Sequence, residues 1–348
     1  MPATRRQVIL AVVGLVMMLL VPARAAQVTL TVMGAYPPGQ TAGDVLEAYI
    51  QEYQRLNPHI AVEHLPRTGT DQEAMEQIYV RTAAGIPPDI VFIPQPFLTD
   101  YVVRDIVAPV PGTYADRIRT SYLPGALYLA EYQDNLYGFP TELMSQGLAY
   151  NSVVFNQAGL PDEAPQTWEE LRDFARKIAL RRDDGTLERA GYGIMDHATP
   201  VIAFILTYSR SHGGNPVSSD LRSVNFSEPQ SVDSVAYLKA LYLEDRTAVL
   251  GLPGWAEDKL GMFFAHGPWQ AQGFRLVGPE FYSGLRSALP PAGPVGRVTT
   301  FYGYLWAVTP YTAHPQEAYD FLFWLSTEET ERGTTRMGDV LEALGSIP

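Results

Sequence analysis

The sequence predicts an α/β protein of two lobes, the first of them doubly wound. Three observations carry this. The chain has 348 residues, which suits about two domains of roughly 150 residues each. Strand and helix patterns alternate from its start, and its third strand, Ile90-Val91-Phe92-Ile93, is apolar without a break. A strand with no polar face is covered on both sides, as in a parallel sheet between helical layers.

The elements follow in order. Residues 1–25 read as an export signal: Arg5 and Arg6, a 14-residue apolar run from Val8 to Val21, then Ala23-Arg24-Ala25, with the cut expected after Ala25. The run is short of the roughly 20 residues a bilayer span needs. Thr4 to Ile9 also resembles a twin-arginine signal, so two export routes stay open. Val28 to Val32 alternates as a strand, and Gly34 to Gly39 is a loop. A helix to Leu56 carries Val45, Leu46, Tyr49, Ile50, Tyr53 and Leu56 on one face, and Asn57-Pro58 stops it. Ile60 to Val62 is a second strand. A second helix starts at Asp71 with Met75, Ile78, Tyr79 and Ala83 inward, and the apolar strand follows. Ligands of such sheets sit beyond the carboxyl ends of the strands. The loops there offer Tyr36, Gln40 and Gln95, and no G-x-G-x-x-G, which argues against a dinucleotide.

From about residue 145 to 295 a second α/β lobe is expected. Thr167-Trp168-Glu169-Glu170 starts a helix to Leu180. Asp184-Gly185 is a turn and Gly213-Gly214-Asn215 a loop. Ser227-Glu228-Pro229 opens a helix with Val232, Val235 and Leu238 inward. Trp306 to Val308 is a strand, and His314-Pro315 opens a helix with Ala318, Phe321, Leu322 and Leu325 on its core face.

Composition excludes several chemistries. The net charge is −13, and losing the first 25 residues removes three arginines and no acid, leaving −16. Such a balance offers no phosphate footprint, so nucleic acid is not expected as a partner. With no cysteine there is no disulfide framework, thiolate metal site or thiol nucleophile. The six histidines (His59, His64, His197, His212, His266 and His314) contain no i, i+4 pair, so no metal site is expected, and no cofactor is expected either. Ser145-Gln146-Gly147 is half a nucleophile elbow, with Leu143 where the first glycine belongs. Asp183-Asp184-Gly185 lacks the alternating oxygen ligands of a calcium loop.

Several segments, in order, carry a family resemblance. Pro88-Asp89-Ile90-Val91-Phe92, Tyr137-Gly138-Phe139-Pro140, Tyr150-Asn151, Ala158-Gly159-Leu160, Thr167 to Leu171, Gly261 to Trp269, and Tyr304 to Val308 followed by His314 to Ala318 resemble family 1 extracellular solute-binding proteins of ABC importers, the maltose-binding-like sugar receptors. The resemblance implies two doubly wound α/β lobes joined by crossing hinge strands, a type II-like periplasmic binding protein. It places the first lobe at 26–141 and 301–348 and the second at 142–300, with crossings near Phe139 to Ser145 and Thr300 to Tyr304. Family members continue past the segment matching Gly345 to Pro348 with helices of the second lobe. The expectation is therefore a truncated chain or a reduced lobe.

The same resemblance implies a periplasmic, monomeric receptor that captures a neutral sugar, oligosaccharide or polyol between the lobes and delivers it to ABC permease subunits. Such a site needs rings for the flat sugar face and carboxylates or amides for the hydroxyls. Trp269 matches the family's sugar-stacking tryptophan; the alternative is a core ring, and Gly267-Pro268 favours the site. Glu142 is either a ligand-bonding carboxylate or a solvated one. Tyr36 and Gln95 are either ligand contacts or surface loop residues. Of Tyr302 and Tyr304, one is expected to face the ligand and the other the packing. Trp255 is a further candidate ligand contact, although a loop aromatic there more often serves as a lid or in packing. Pro94-Gln95-Pro96-Phe97 stands where maltose receptors carry charged groups, which speaks against maltodextrin itself and for an uncharged ligand. Other readings are an exported carbohydrate-active enzyme using Glu142, a receptor feeding a sensor, and a polyamine or ferric-ion receptor.

Overall fold

The computed structural model describes residues 28–196, 198–218, 223–266 and 283–345, without the side chains of Ala198, Thr199 and His266. The expected signal at 1–25, Trp269 with Gly267-Pro268, His197 and the last three residues lie outside the described residues. The chain divides into two compact units. The first holds residues up to Ile93, Phe97–Phe139 and Leu305–Val340; the second holds Pro94–Pro96, Pro140–Tyr304 and the residues from Leu341 on.

The first unit is built on a parallel sheet. Strand β1 (Val28–Met33) pairs with β2 (Ile60–Leu65) on one side and with β3 (Ile90–Pro94) on the other, and β12 (Phe301–Val308) follows β3 in the sheet order. All five residues of β3 are buried, as its unbroken apolar run requires. Helix α1 (Thr41–Leu56) buries Ala42, Gly43, Leu46, Ile50 and Tyr53. Leu56, expected on that face, is exposed. Helix α2 (Asp71–Ala83) opens on a full capping box: Glu73 N donates to Thr70 Oγ1, and Thr70 N donates to the Glu73 carboxylate. It buries Ala74 and Ile78, whereas Met75 and Tyr79 are only partly covered and Ala83 is exposed.

Three short helices follow: α3 (Leu98–Val103), α4 (Gly112–Ser121) and α5 (Pro124–Leu127). A hairpin of β4 (Glu131–Tyr132) and β5 (Asn135–Leu136) comes next. Later in the chain, α10 (Pro315–Ser326) buries every residue from Tyr319 to Ser326 except Asp320, as a helix enclosed on nearly all sides must. Its rings meet Tyr53 and Phe139 at centroid distances of 4.9 Å, and Trp306, fully buried on β12, meets Phe92 at 4.6 Å.

The second unit has a mixed sheet, ordered β12-β6-β10-β8-β7. The long β6 (Phe139–Asn151) runs antiparallel to β10 (Leu260–His266) and to β11 (Leu285–Ala288). Strand β8 (Leu187–Ile194) runs parallel to β10 and to β9 (Ala248–Leu250), and antiparallel to β7 (Leu180–Arg181). Helix α6 (Ser152–Gln157) is capped by Asn151, whose side chain accepts from Val153 N and Val154 N. Helix α7 (Trp168–Ile178) is capped by Thr167, which accepts from Glu170 N at 3.1 Å, while the Glu170 carboxylate accepts from Gln166 N. This helix ends at Ile178, not Leu180, because Ala179 leaves the helical region (φ −58, ψ 123) and Leu180 begins β7. Helix α7 lies directly on β8: a Cβ at Gly191 would collide with the Ala175 carbonyl. Trp168 stacks on Phe264 at 5.6 Å within a cluster that includes Leu148, Phe155, Leu171 and Tyr192.

Helix α8 (Ala198–Ser211) packs against α9 (Pro229–Lys239), which continues as a wide π turn over Ala240–Glu244. The expected inward face of α9 is corrected here. Ser231 and Ser234 are buried, Leu238 is partly buried, and Val232 and Val235 are each 53% exposed. Small hydroxyl residues let the two helices approach, and the Glu228 carboxylate accepts from Ser209 on α8 and Ser231 on α9. The last helix is α11 (Arg336–Leu344). No described helix is long and apolar enough to cross a membrane.

Candidate functional site

In the first unit the carboxyl ends of the parallel strands are organised by backbone bonds. Gly34 N donates to Leu65 O at 3.0 Å and Arg67 N to Ala35 O at 2.9 Å, so the loops after β1 and β2 are tied together. Gly34 sits at φ +102, and a Cβ there would meet the Phe92 carbonyl. Gly39 N donates to Asp44 at 2.7 Å, holding the first loop on α1. Tyr36, in that loop, is 3% exposed and lies 5.4 Å from the Phe92 ring. The surface-loop alternative for Tyr36 therefore falls. Arg67 pairs with Asp71, and Gln77 Nε2 donates to Thr68 Oγ1 at 2.8 Å. The loop 66–70 escaped the sequence reading. Its signal was the polar Arg67-Thr68-Gly69-Thr70 run between an ending strand and a capping box.

In the second unit, β6 alternates so that Glu142, Met144, Gln146 and Leu148 share a buried face while Leu143 and Ser145 are exposed. Glu142 is 2% exposed, which removes the solvated alternative. Gln146 is 3% exposed; its Oε1 accepts from Thr207 Oγ1 at 3.1 Å and Thr300 Oγ1 at 3.3 Å. Gln146 N donates to Thr300 O, and Thr141 Oγ1 donates to Tyr304 O at 2.9 Å, joining β6 to β12. Sequence inspection met Gln146 only within a half-formed nucleophile elbow and passed over Thr207. A buried polar side chain on a strand can be recognised only once its partners, 61 and 154 positions away, are in place.

Tyr302 and Tyr304 are two apart on β12, so they share one face of the strand. The expected division of the pair, one toward the ligand and one toward the packing, is not available to them. Tyr302 is half-buried and Tyr304 4% exposed. Gln95 opens the single turn Gln95–Phe97 after β3 and is half-buried. Trp255 is a packing residue. It is 3% exposed, meets Phe263 edge-on at 4.7 Å, and belongs to a core cluster with Ala149, Ala190 and Leu260. Its ring is spent inside the unit, which corrects its candidacy as a ligand contact.

Glu228, at the N-terminus of α9, is one of the carboxyl groups of this unit with a shifted titration. Burial alone would push its carboxyl up. Hydrogen bonds from Ser209 (2.7 Å), Asn215 N (2.8 Å) and Ser231 (3.0 Å) outweigh that and hold it below the usual glutamate value. Among the described residues no group of three His, Cys, Asp or Glu side chains is placed to hold a metal ion.

A family model described as bacterial extracellular solute-binding protein matches residues 37–332. The chain belongs to that family. This solute-binding protein is 23% identical over 263 residues to a binding protein of Brucella abortus (strain 2308), a match covering 72% of this chain and 61% of the relative. The chain thus spans about three fifths of the length of that curated relative. It is 31% identical over 113 residues to the alpha-glucosides-binding periplasmic protein AglE of Rhizobium meliloti, covering 30% of this chain and 24% of AglE. In three dimensions it is similar to an ABC substrate-binding protein of Listeria monocytogenes in complex with cycloalternan. That likeness has a TM-score of 0.72 at 16% identity, over 92% of this chain and 87% of the other. At such an identity the likeness speaks for the fold, a mixed α/β periplasmic binding architecture.

Proposed function

We propose that this solute-binding protein is the exported receptor of an ABC importer, and that it holds a neutral sugar, oligosaccharide or polyol without altering it. The observation that carries the reading is the family match along residues 37–332. The partial likeness to a protein named for binding alpha-glucosides supports the ligand class. In this reading the first 25 residues direct export to the periplasm and are removed after Ala25. The mature monomer hands its ligand to permease subunits.

The proposed contacts are Trp269, Tyr36, Gln95, Glu142, Tyr302 and Tyr304. Each offers what a saccharide demands: a ring for the C–H face, or a carboxylate, amide or phenol for hydroxyls. A carboxylate withdrawn from water, as Glu142 is, forms a stronger bond to a hydroxyl than an exposed one.

Isothermal calorimetry against mono-, di- and oligosaccharides and polyols, with spermidine and ferric citrate as other-class arms, tests this. Expected are one-to-one binding of a neutral saccharide, its recovery intact by chromatography, and an affinity about tenfold lower or worse for Glu142→Gln. Binding by no member of the neutral panel, or turnover of the bound glycan, would sink the proposal.

A further inference from the structure

The outer face of α9 is apolar along its length. Val232 and Val235 are each 53% exposed, and on the π turn that follows Tyr242 is 39% and Leu243 56% exposed. Phe226, just ahead of the helix, is 44% exposed. Ser231, Ser234, Ala240 and Leu241 are buried on the opposite side. That polar seam fixes the rotation of the helix: turning the valines inward would expose Ser231 and break its bond to Glu228. The apolar stripe is therefore held toward solvent. From Pro229 to Glu244 it follows about 24 Å of helix. A continuous ridge of that kind differs from the single exposed hydrophobes of an ordinary surface, and marks an interaction face.

The pattern of the stripe points to its occupant. Ala236 is exposed at the centre, with Asp233 three positions before it and Lys239 three positions after, both exposed. Pro229 and Leu243 stand seven positions to either side. A two-fold axis beside Ala236 sets a second α9 antiparallel to the first. Each Asp233 then meets the Lys239 of the second copy, twice over, and Tyr242 and Leu243 lie against the Pro229 end of that copy. A parallel pairing would set like charge on like. The small side chain at the axis lets the two helices approach closely. A charge pattern that is its own complement under a two-fold fits a second copy of this chain, as isologous interfaces require. We infer that the outer face of α9 is a self-association surface on which two copies pair antiparallel about Ala236. One helix face per copy buries less than the roughly 1,200 Å² of a stable complex. The pairing is therefore weak, with a Kd on the order of 10–100 µM, and the monomer of the receptor reading is the form that prevails on dilution.

The test is sedimentation velocity on the full mature chain from about 5 µM to about 1 mM. The wild type should pass from monomer to mostly dimer across that range. Asp233→Lys and Lys239→Asp should each weaken the pairing about tenfold or more, because each sets like charges across the axis. The double variant carrying both should restore the wild-type Kd within about threefold, since the swap returns opposite charges to facing positions. All three should keep the wild-type melting temperature in dilute solution, as exposed positions do. The chain has no cysteine, so a single introduced thiol reports the axis directly. Ala236→Cys should oxidise to a disulfide-linked dimer about tenfold faster than Lys177→Cys, a thiol at an exposed position on α7. A chain that stays monomeric at about 1 mM would overturn the inference and leave the face to a different partner. So would a dimer indifferent to the single charge reversals, a double variant that fails to recover, or cross-linking no faster at position 236 than at 177. None of these outcomes touches the receptor reading.

Discussion

At the scale of single residues, this protein is shaped by polar groups that local sequence does not flag. Glu228 is the clearest. Its carboxylate gathers Ser209, Ser231 and the Asn215 amide, tying α8, the following loop and α9 to one anion. Its folded carboxyl titrates below the ordinary value of 4.5. The network therefore contributes its full stability above that value and loses it as pH falls through the folded value. Urea unfolding followed from about pH 7 down to about pH 3 should show a steeper loss in the wild type than in Glu228→Gln, with Glu228→Gln the less stable protein at neutral pH. Equal slopes would mean that the carboxylate is not a linkage site. The buried Glu142 and Gln146 make the same point for the candidate site: the residue type was visible in sequence, its withdrawal from water was not.

At the scale of elements, α9 shows where periodicity misleads. Val232, Val235 and Leu238 form an apolar stripe at helical spacing, and that stripe was expected to face inward. The helix instead turns Ser231 and Ser234 inward, and Ser234 Oγ donates to Ser231 O at 2.6 Å. Serines can bury their hydroxyls against the backbone of their own helix, which apolar-period counting does not register. Two substitutions at the exposed positions, Val232→Ser and Val235→Ser, should change unfolding free energy by less than about 0.5 kcal/mol. Ser234→Val should cost about 1–3 kcal/mol through overpacking and a lost bond. Chemical denaturation of the three variants checks the order, and a large loss at Val232 would reverse the assignment of faces. By contrast, β3 was legible throughout, because a strand covered on both faces shows an unbroken apolar run. In α10 the expected core residues Ala318, Phe321, Leu322 and Leu325 are buried, and Tyr319, Phe323, Trp324 and Ser326 are buried with them.

At the scale of the whole molecule, composition and family set the expectations. An acidic chain with no cysteine belongs to a family of extracellular solute-binding proteins. A receptor that binds its ligand only when folded gains stability by mass action, about 2.7 kcal/mol at a ligand concentration of 100 Kd. Differential scanning calorimetry should therefore show a rise in melting temperature with the saccharide that binds, growing with its concentration. Duplex DNA at low salt should produce none, since the net charge of −13 offers phosphate no footprint. A DNA-induced shift would show a basic face that the overall charge conceals.

The sequence by itself determined the α/β class, the β-α-β-α-β order that opens the first unit, and the ordered segments that resemble the receptor family. All of these are set by local periodicity and by residues close together in the chain. Tertiary structure alone decided that Trp255 is core, that Tyr302 and Tyr304 share a face, that serines line the inner side of α9, and that the buried Arg81 Nε has no hydrogen-bond partner among the described residues. The reason is physical. Burial and hydrogen-bond satisfaction are set by groups tens to hundreds of positions away, as Thr207 and Thr300 are from Gln146, and no local pattern encodes which of them will arrive.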